Sequence, residues 1–213
     1  MKNIFVLIFF SLLIYACGEN GGNAVPAGTE PDATSPAGIN IEEYETSDLP
    51  GGYQKVVKRN VKGKVLEEGV LKNGKRNGMW IVYNAKKPFP KTITNFIDDQ
   101  YSGNHIEFSN TGQFELVCTY NNNQLDGHYA KYKNIRIIEE GNYKNGQLDG
   151  PYRLYYQNKD ILREQVNYKN GKLDGETTYY NEEGQVIMRY IYKNGERISG
   201  GRVEPKAKED SSD

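Results

Sequence analysis

The sequence predicts an all-β protein, a single-layer, twisted antiparallel meander of about six to seven β-hairpin repeats. A similar phrase recurs six times between Leu71 and Gly200. Repetition at a fixed short period is typical of stacked units, each of which buries its apolar face only against its neighbours. Its clearest copies contain Asn-Gly, the strongest short hairpin signal, because both residues tolerate positive φ. Since no window shows a sustained 3.6-residue apolar period, we expect almost no helix.

Each repeat is predicted to contain two short strands and two polar turns. The clearest copies are Tyr143-Lys-Asn-Gly-Gln-Leu-Asp-Gly150 and Tyr168-Lys-Asn-Gly-Lys-Leu-Asp-Gly175. A large apolar or aromatic residue stands seven positions before the glycine that ends the phrase, and an aromatic residue stands five positions after it. The first set is Leu71, Phe96, Tyr120, Tyr143 and Tyr168, and the second is Tyr83, Phe108, Tyr132, Tyr155 and Tyr180. We expect these columns to form ladders of rings across the sheet.

The composition divides the chain into four parts. Residues 1–17 read as a lipoprotein signal peptide, residues 18–52 as a disordered linker, residues 53–202 as the repeat domain, and residues 203–213 as a disordered tail. The linker is rich in Gly, Ala, Pro and Thr and poor in apolar residues, so it lacks the surface needed to offset the entropy of ordering. Within the repeat domain, Tyr53 to Gly69 should form a divergent first hairpin with a turn at Asn60-Val-Lys-Gly63.

The leader combines Lys2 with an apolar run from Ile4 to Ile14, too short to span a bilayer. Ile14-Tyr-Ala-Cys17 resembles the lipobox of bacterial lipoproteins, in which the cysteine is acylated. The alternative is an ordinary secretory signal with an unmodified Cys17. Acylation implies a membrane partner held through the lipid anchor. By the same resemblance, Gly18 implies the outer membrane of a bacterial cell envelope, facing the periplasm.

Charge and cysteine content restrict the classes of partner. The net charge is −1, and no basic stripe is present, so nucleic acid is not an expected partner. If Cys17 is acylated, Cys118 is the only other cysteine and no intramolecular disulfide can form. We expect Cys118 to be a half-buried strand residue. No phosphate loop, nucleophile elbow or paired-cysteine zinc motif occurs, and we expect no cofactor.

The phrase Tyr-Lys-Asn-Gly-x-Leu-Asp-Gly, with a Tyr five residues later, resembles the bacterial variant of the MORN repeat. The resemblance covers about residues 65 to 200 and implies the hairpin-repeat fold. That variant fills YwqK-type antitoxin-like proteins and many lipoproteins. Asp126, Asp149 and Asp174 stand where the standard MORN unit has His, so the lipid-headgroup role of standard MORN proteins is not implied here.

Two sets of polar residues are candidates for a metal site. Asp126, Asp149 and Asp174 would be either a calcium-binding ladder or turn residues that bond backbone amides, and we favour the turn role. His105 and His128 are the only histidines. Their positions relative to the repeat glycines place them on opposite faces, so we expect no shared metal site.

Trp80, Tyr129 and Tyr152 stand two residues after a repeat glycine, on the face opposite Tyr83, Tyr132 and Tyr155. As an exposed row they would form a binding face for a sugar or a protein. Alternatively, they form the second packed face of the ribbon, which we favour. The sequence as a whole favours a membrane-tethered, non-catalytic module that binds a protein in the cell envelope, of antitoxin or immunity type. The alternatives are a glycan-binding lipoprotein that uses this aromatic row, and an enzyme of a new kind.

Overall fold

A computed structural model describes residues 38–204, and in this range the protein forms one open antiparallel sheet. Fourteen strands lie side by side in chain order, and two short strands, β4 and β11, pair with β3 and β10 outside that path. The strands are β1 Glu45–Leu49, β2 Tyr53–Arg59, β3 Val65–Lys72, β4 Lys75–Arg76, β5 Gly78–Tyr83, β6 Pro90–Ile97, β7 Gln100–Phe108, β8 Phe114–Asn121, β9 Gln124–Lys133, β10 Arg136–Lys144, β11 Gln147–Leu148, β12 Gly150–Tyr155, β13 Leu162–Lys169, β14 Lys172–Tyr180, β15 Val186–Lys193 and β16 Glu196–Arg202. Two 3₁₀ turns, Ile41–Glu43 and Pro50–Gly52, are the only helical elements of the described range. The all-β meander is confirmed.

The repeat phrase builds its turn with two residues of positive φ. In the fifth copy these are Asn170, with φ of 49°, and Gly171, with φ of 73°. Asn and Gly reach this region at low cost, and the resulting turn matches the twist of its two strands. The six turns of this kind are Asn73-Gly74, Asp98-Asp99, Asn122-Asn123, Asn145-Gly146, Asn170-Gly171 and Asn194-Gly195.

The sheet begins at Glu45, and the prediction of a linker through residue 52 is therefore wrong for its last residues. Strand β1 pairs with β2 from Glu45 opposite Val57 to Leu49 opposite Tyr53. All five residues of β1 are exposed, so no alternation of apolar residues marks the strand in the sequence. The predicted hairpin that follows is confirmed, since β2 and β3 pair around the turn that starts at Asn60. Residues 1–37, with Cys17, and residues 205–213 lie outside the described range.

The core of the sheet lies on one side, which we call the aromatic face. It carries two buried clusters, one of Val56, Leu71, Trp80 and Phe96, and one of Leu116, Cys118, Tyr120, Leu125, Tyr129 and Tyr143. Cys118 is 1% exposed, so it is more deeply buried than predicted, and this burial raises the pKa of its thiol to about 12. Ile39 and Tyr44, which precede β1, pack against the first cluster.

The predicted ladders of identical positions are not formed. Equivalent residues of successive repeats lie two strands apart, about 9.6 Å, and a different residue fills the space between them. Tyr101 lies between Phe96 and Tyr120, with ring centroids 5.0 and 5.2 Å away. In the later repeats, Leu148 lies between strands in the same way, opposite Tyr143. The aromatic face is therefore packed from two interleaved columns.

Candidate binding surface

The three residues predicted as a candidate binding face are buried. Trp80 is 3% exposed, Tyr129 1% and Tyr152 3%. Each belongs to the aromatic face and packs edge-on against a ring of the next repeat; Tyr129, for example, meets Tyr143 at 5.4 Å. The interpretation of these rings as an exposed row is wrong, and the second interpretation, a packed face, is correct. The glycan-binding alternative loses the surface on which it depended.

Small residues and carboxylates explain how such large rings are buried in one layer. Gly69 lies under the Trp80 ring, and a Cβ there would be 2.0 Å from it; Gly141 lies under Tyr152 in the same way. The polar ends of both rings meet carboxylates on the same strands as those glycines. Trp80 Nε1 donates to Glu67, and the Tyr152 hydroxyl donates to Glu139. Burial raises the pKa of Tyr152, since the phenolate would be charged in an apolar setting.

His105 takes the same place in the second repeat and is 8% exposed. Its Nδ1 lies 2.8 Å from Thr94 Oγ1, and its Nε2 lies 3.1 Å from Glu107 Oε1. This hydroxyl–imidazole–carboxylate chain satisfies both nitrogens of a buried ring, and the hydrogen bond with His105 lowers the pKa of Glu107. Thr94, which supplies the hydroxyl, is also buried, with 5% of its surface exposed.

The remaining polar candidates have structural roles. His128 is exposed and precedes Tyr129, so it points to the face opposite His105, as predicted. Within residues 38–204, no group of three or more His, Cys, Asp or Glu side chains is arranged to hold a metal ion. The three aspartates accept from backbone amides, which supports the turn interpretation, but the amide belongs to the turn of the following repeat. The pairs are Asp126 with Asn145, Asp149 with Asn170 and Asp174 with Asn194.

The opposite side of the sheet, which we call the open face, carries a row of directly paired residues that crosses every strand of the main path. Paired residues of neighbouring strands share a face. From β1 to β16 the row reads Glu45, Val57, Glu68, Ile81, Ile93, Ile106, Val117, Ala130, Glu140, Arg153, Gln165, Thr178, Arg189 and Gly201. Five consecutive members, Ile81 to Ala130, are apolar. They span about 19 Å across β5 to β9, and we call them the open-face strip.

Aromatic residues extend the strip toward the turns that join one repeat to the next. Phe108 and Phe114 pair across β7 and β8, with ring centroids 5.4 Å apart, and Tyr132 lies 5.8 Å from Phe114. Phe114 is 47% exposed. Beyond Tyr132, the hairpin tip of β9 and β10 places Ile135 in solvent, 74% exposed and with φ of 64°. A β-branched residue at positive φ is strained, and such strain is characteristic of functional sites.

Tyrosine–glutamate pairs mark both ends of the strip. The Tyr83 hydroxyl donates to Glu68 at 2.6 Å, and this bond lowers the pKa of the carboxyl. At the other end, the Tyr155 hydroxyl donates to Glu140 at 2.7 Å, and burial together with this carboxylate raises the pKa of Tyr155 to about 12. An apolar centre with ordered polar groups at its margin is the arrangement found in protein-binding surfaces.

A scan against models of known protein families finds no match for this chain, and a search of curated proteins finds no relative. Between residues 38 and 204, the structure contains no helix that is long and apolar enough to cross a membrane. The site therefore has to be interpreted from its own geometry. The residues shared by all repeats do not reveal the open-face strip, because its members differ from repeat to repeat. The signal is the third residue after each of three repeat glycines, which is Ile81, Ile106 or Ala130.

Proposed function

We propose that this protein is a membrane-tethered, non-catalytic repeat module that binds a protein partner in the cell envelope. The observation that supports this proposal is the open-face strip, five apolar residues in register with charged residues on both sides. Ile81, Ile93, Ile106 and Val117 are half-buried, so a partner would remove their remaining accessible surface from water, whereas Ala130 at the end of the strip is already buried. An antitoxin or immunity role is the form that the resemblance to MORN-variant proteins suggests.

The strip favours a protein over a glycan as the ligand. Sugars bind through ring faces together with many polar groups, whereas the centre of the strip is aliphatic, with Ile and Val side chains. Apolar patches with aromatic residues at one side suit another protein surface. The rings that are accessible, Phe108, Phe114 and Tyr132, adjoin the strip, so they would belong to the same interface.

Site-specific photocrosslinking in living cells tests this proposal. A photoreactive residue at Ile106 should capture one defined protein, and the same residue at Gln165, a half-buried member of the same row on β13, should not. Ile106→Glu, placed opposite Val117 and Ile93, should reduce binding of the captured protein about tenfold or more. Gln165→Glu is the matched control. Equal capture at both positions, or unchanged affinity of Ile106→Glu, would contradict the proposal.

The membrane tether is tested separately, through Cys17. If Cys17 is acylated, Cys17→Ser should abolish labelling by a fatty-acid analogue and release the mature protein from the membrane. The acyl chains bind through buried methylenes at about 0.8 kcal/mol each. Labelling that persists in Cys17→Ser, or an unlabelled protein that still partitions into detergent, would reject the lipoprotein interpretation. Fractionation of inner and outer membranes tests the proposed outer-membrane location.

A further inference from the structure

The sheet ends on two strands that complement each other. Each repeat contributes two kinds of strand, one that precedes the Asn-Gly type of turn and one that follows it. The first strand of the array, β1, is of the preceding kind, because it leads into a turn in which Gly51 and Gly52 both have positive φ. The last strand, β16, is of the following kind, because it leaves the turn at Asn194-Gly195. Within the array, a following strand always pairs with the preceding strand of the next repeat.

From this we propose that two copies of this chain join head to tail, with β16 of one copy pairing antiparallel with β1 of the next. Both strands are exposed along almost their whole length, and among residues 38–204 each pairs on one side only. An open row of backbone N–H and C=O groups is a template for a further strand. A second copy that supplies β1 continues the alternation of strand kinds without interruption. This inference does not depend on the proposed partner of the open-face strip.

The paired rows of the sheet fix the register of the contact. On the open face, the row that begins at Glu45 ends at Gly201. On the aromatic face, the row through Val56, Trp80 and Thr177 begins at Thr46 and ends at Gly200. Continuing both rows into a second copy places Gly201 opposite Glu45 and Gly200 opposite Thr46. Ser199 then lies opposite Ser47, because antiparallel pairing advances one strand while the other recedes.

The charges of the two edges favour this contact over the symmetric ones. Acidic residues dominate the β1 side, with Glu42 and Glu43 in the preceding turn and Glu45 and Asp48 in the strand, and two of them form ion pairs with β2, Glu43 with Lys58 and Glu45 with Arg59. The β16 strand carries Arg197 and Arg202 against one acidic residue, Glu196. In the proposed register, Arg202 lies opposite Tyr44, which stands between Glu43 and Glu45 in the chain. Two β1 edges would bring like charges together, which destabilises strand pairing, so the head-to-tail contact is favoured over the symmetric one.

Engineered cysteines at Ser47 and Ser199 test the contact in the full chain. Directly opposed residues of an antiparallel pair have Cα atoms about 4.5–5.5 Å apart, within the range that a disulfide bridges. An oxidised equimolar mixture of Ser47→Cys and Ser199→Cys should give a covalent dimer that contains one of each. The variant that carries both changes should give a ladder of multimers. The unmodified protein, with Cys17 and Cys118, is the background for each lane.

The proposal is overturned if either single variant dimerises alone as readily as the mixture, since that result indicates symmetric pairing. It is also overturned if the double variant stays monomeric at high protein concentration while its circular dichroism is unchanged. Arg202→Glu should reduce formation of the mixed dimer several-fold, and Arg163→Glu, an exposed arginine away from both edges, should not. Equal reduction by both variants would show that general surface charge, and not the proposed edge contact, governs the association.

Discussion

The two faces of the sheet use the same repeat in opposite ways. In the row of the aromatic face that contains Trp80, the largest rings are matched by small residues across the strand pair: Trp80 lies over Gly69 and Tyr152 over Gly141, whereas the smaller Thr177 lies opposite Val166. On the open face, large residues are not matched by small ones in this way. The row changes from aliphatic residues between β5 and β9 to charged and polar residues from β10 onward. The aromatic face thus maintains the fold, and the open face is free to differ between repeats.

The largest expected effect is the loss of a ring from the aromatic face. Trp80→Ala should lower the free energy of unfolding by about 3–5 kcal/mol, the cost typical of removing a buried aromatic side chain. Its sequence neighbour Met79, 56% exposed on the open face, is the control, and Met79→Ala should change stability by less than about 0.5 kcal/mol. Chemical denaturation measures both. Similar losses from the two variants would remove the distinction between the faces.

The glycine under the Tyr152 ring gives the next largest effect. Gly141→Ala places a Cβ 2.4 Å from Tyr152 Cδ2, so the ring has to leave its pocket, at a cost of about 1–3 kcal/mol. In Gly201→Ala the new Cβ meets nothing within 4 Å. That control should be neutral or slightly stabilising, because alanine reduces the entropy of the unfolded chain. Denaturation midpoints compare the two, and an unaffected Gly141→Ala would refute the size-matching argument.

Glu164 is a buried residue of the aromatic face whose carboxyl group is not fully hydrogen-bonded. It is 5% exposed, and its Oε1 has no hydrogen-bond partner within the described part of the chain. Burial raises its pKa, and a hydrogen bond with Tyr179 opposes that shift. The folded protein therefore binds this proton more tightly than the unfolded chain does. The contribution of the group to stability is greatest below the unfolded carboxyl pKa of about 4.3, and it is lost as pH rises through the folded pKa.

Glu164→Gln should accordingly be more stable than the native protein at pH 7, by about 1 kcal/mol, the lower end of the cost of a buried unsatisfied polar group. The difference should shrink toward pH 4, where the native carboxyl is protonated. Thermal unfolding at several pH values measures it. Glu183→Gln, at an exposed turn position, serves as the control, and a gain for Glu164→Gln that is constant with pH would show that its charge is not the cause.

The difference between the faces also explains what the sequence could reveal. The fold follows from residues that recur, such as Asn170-Gly171 in the turn and Tyr168 before it, so repetition alone predicts it. Counting residues from Gly78 places Trp80 and Tyr83 on opposite faces correctly, but it does not show which face is buried. That outcome depends on Gly69, which meets Trp80 only after β3 and β5 are brought together. The open-face strip was missed because its residues differ from repeat to repeat.

The smallest expected effect concerns Ile135, at the hairpin tip beside the open-face strip. Its φ of 64° costs an L-residue with a β-branched side chain about 1–2 kcal/mol, and glycine has no such penalty. Glycine also increases the entropy of the unfolded chain, which opposes the gain by about 0.4–1 kcal/mol. Since Ile135 is 74% exposed, little burial is lost, and Ile135→Gly should stabilise the protein by about 0.5 kcal/mol. Ile135→Asn is the companion variant, because asparagine also tolerates positive φ.

If the chain retains a strained isoleucine for its partner, both variants should weaken binding of the protein captured at Ile106 while they raise the unfolding midpoint. Unchanged binding would confine the interface to the strands, and a lowered midpoint would show that Ile135 stabilises the fold.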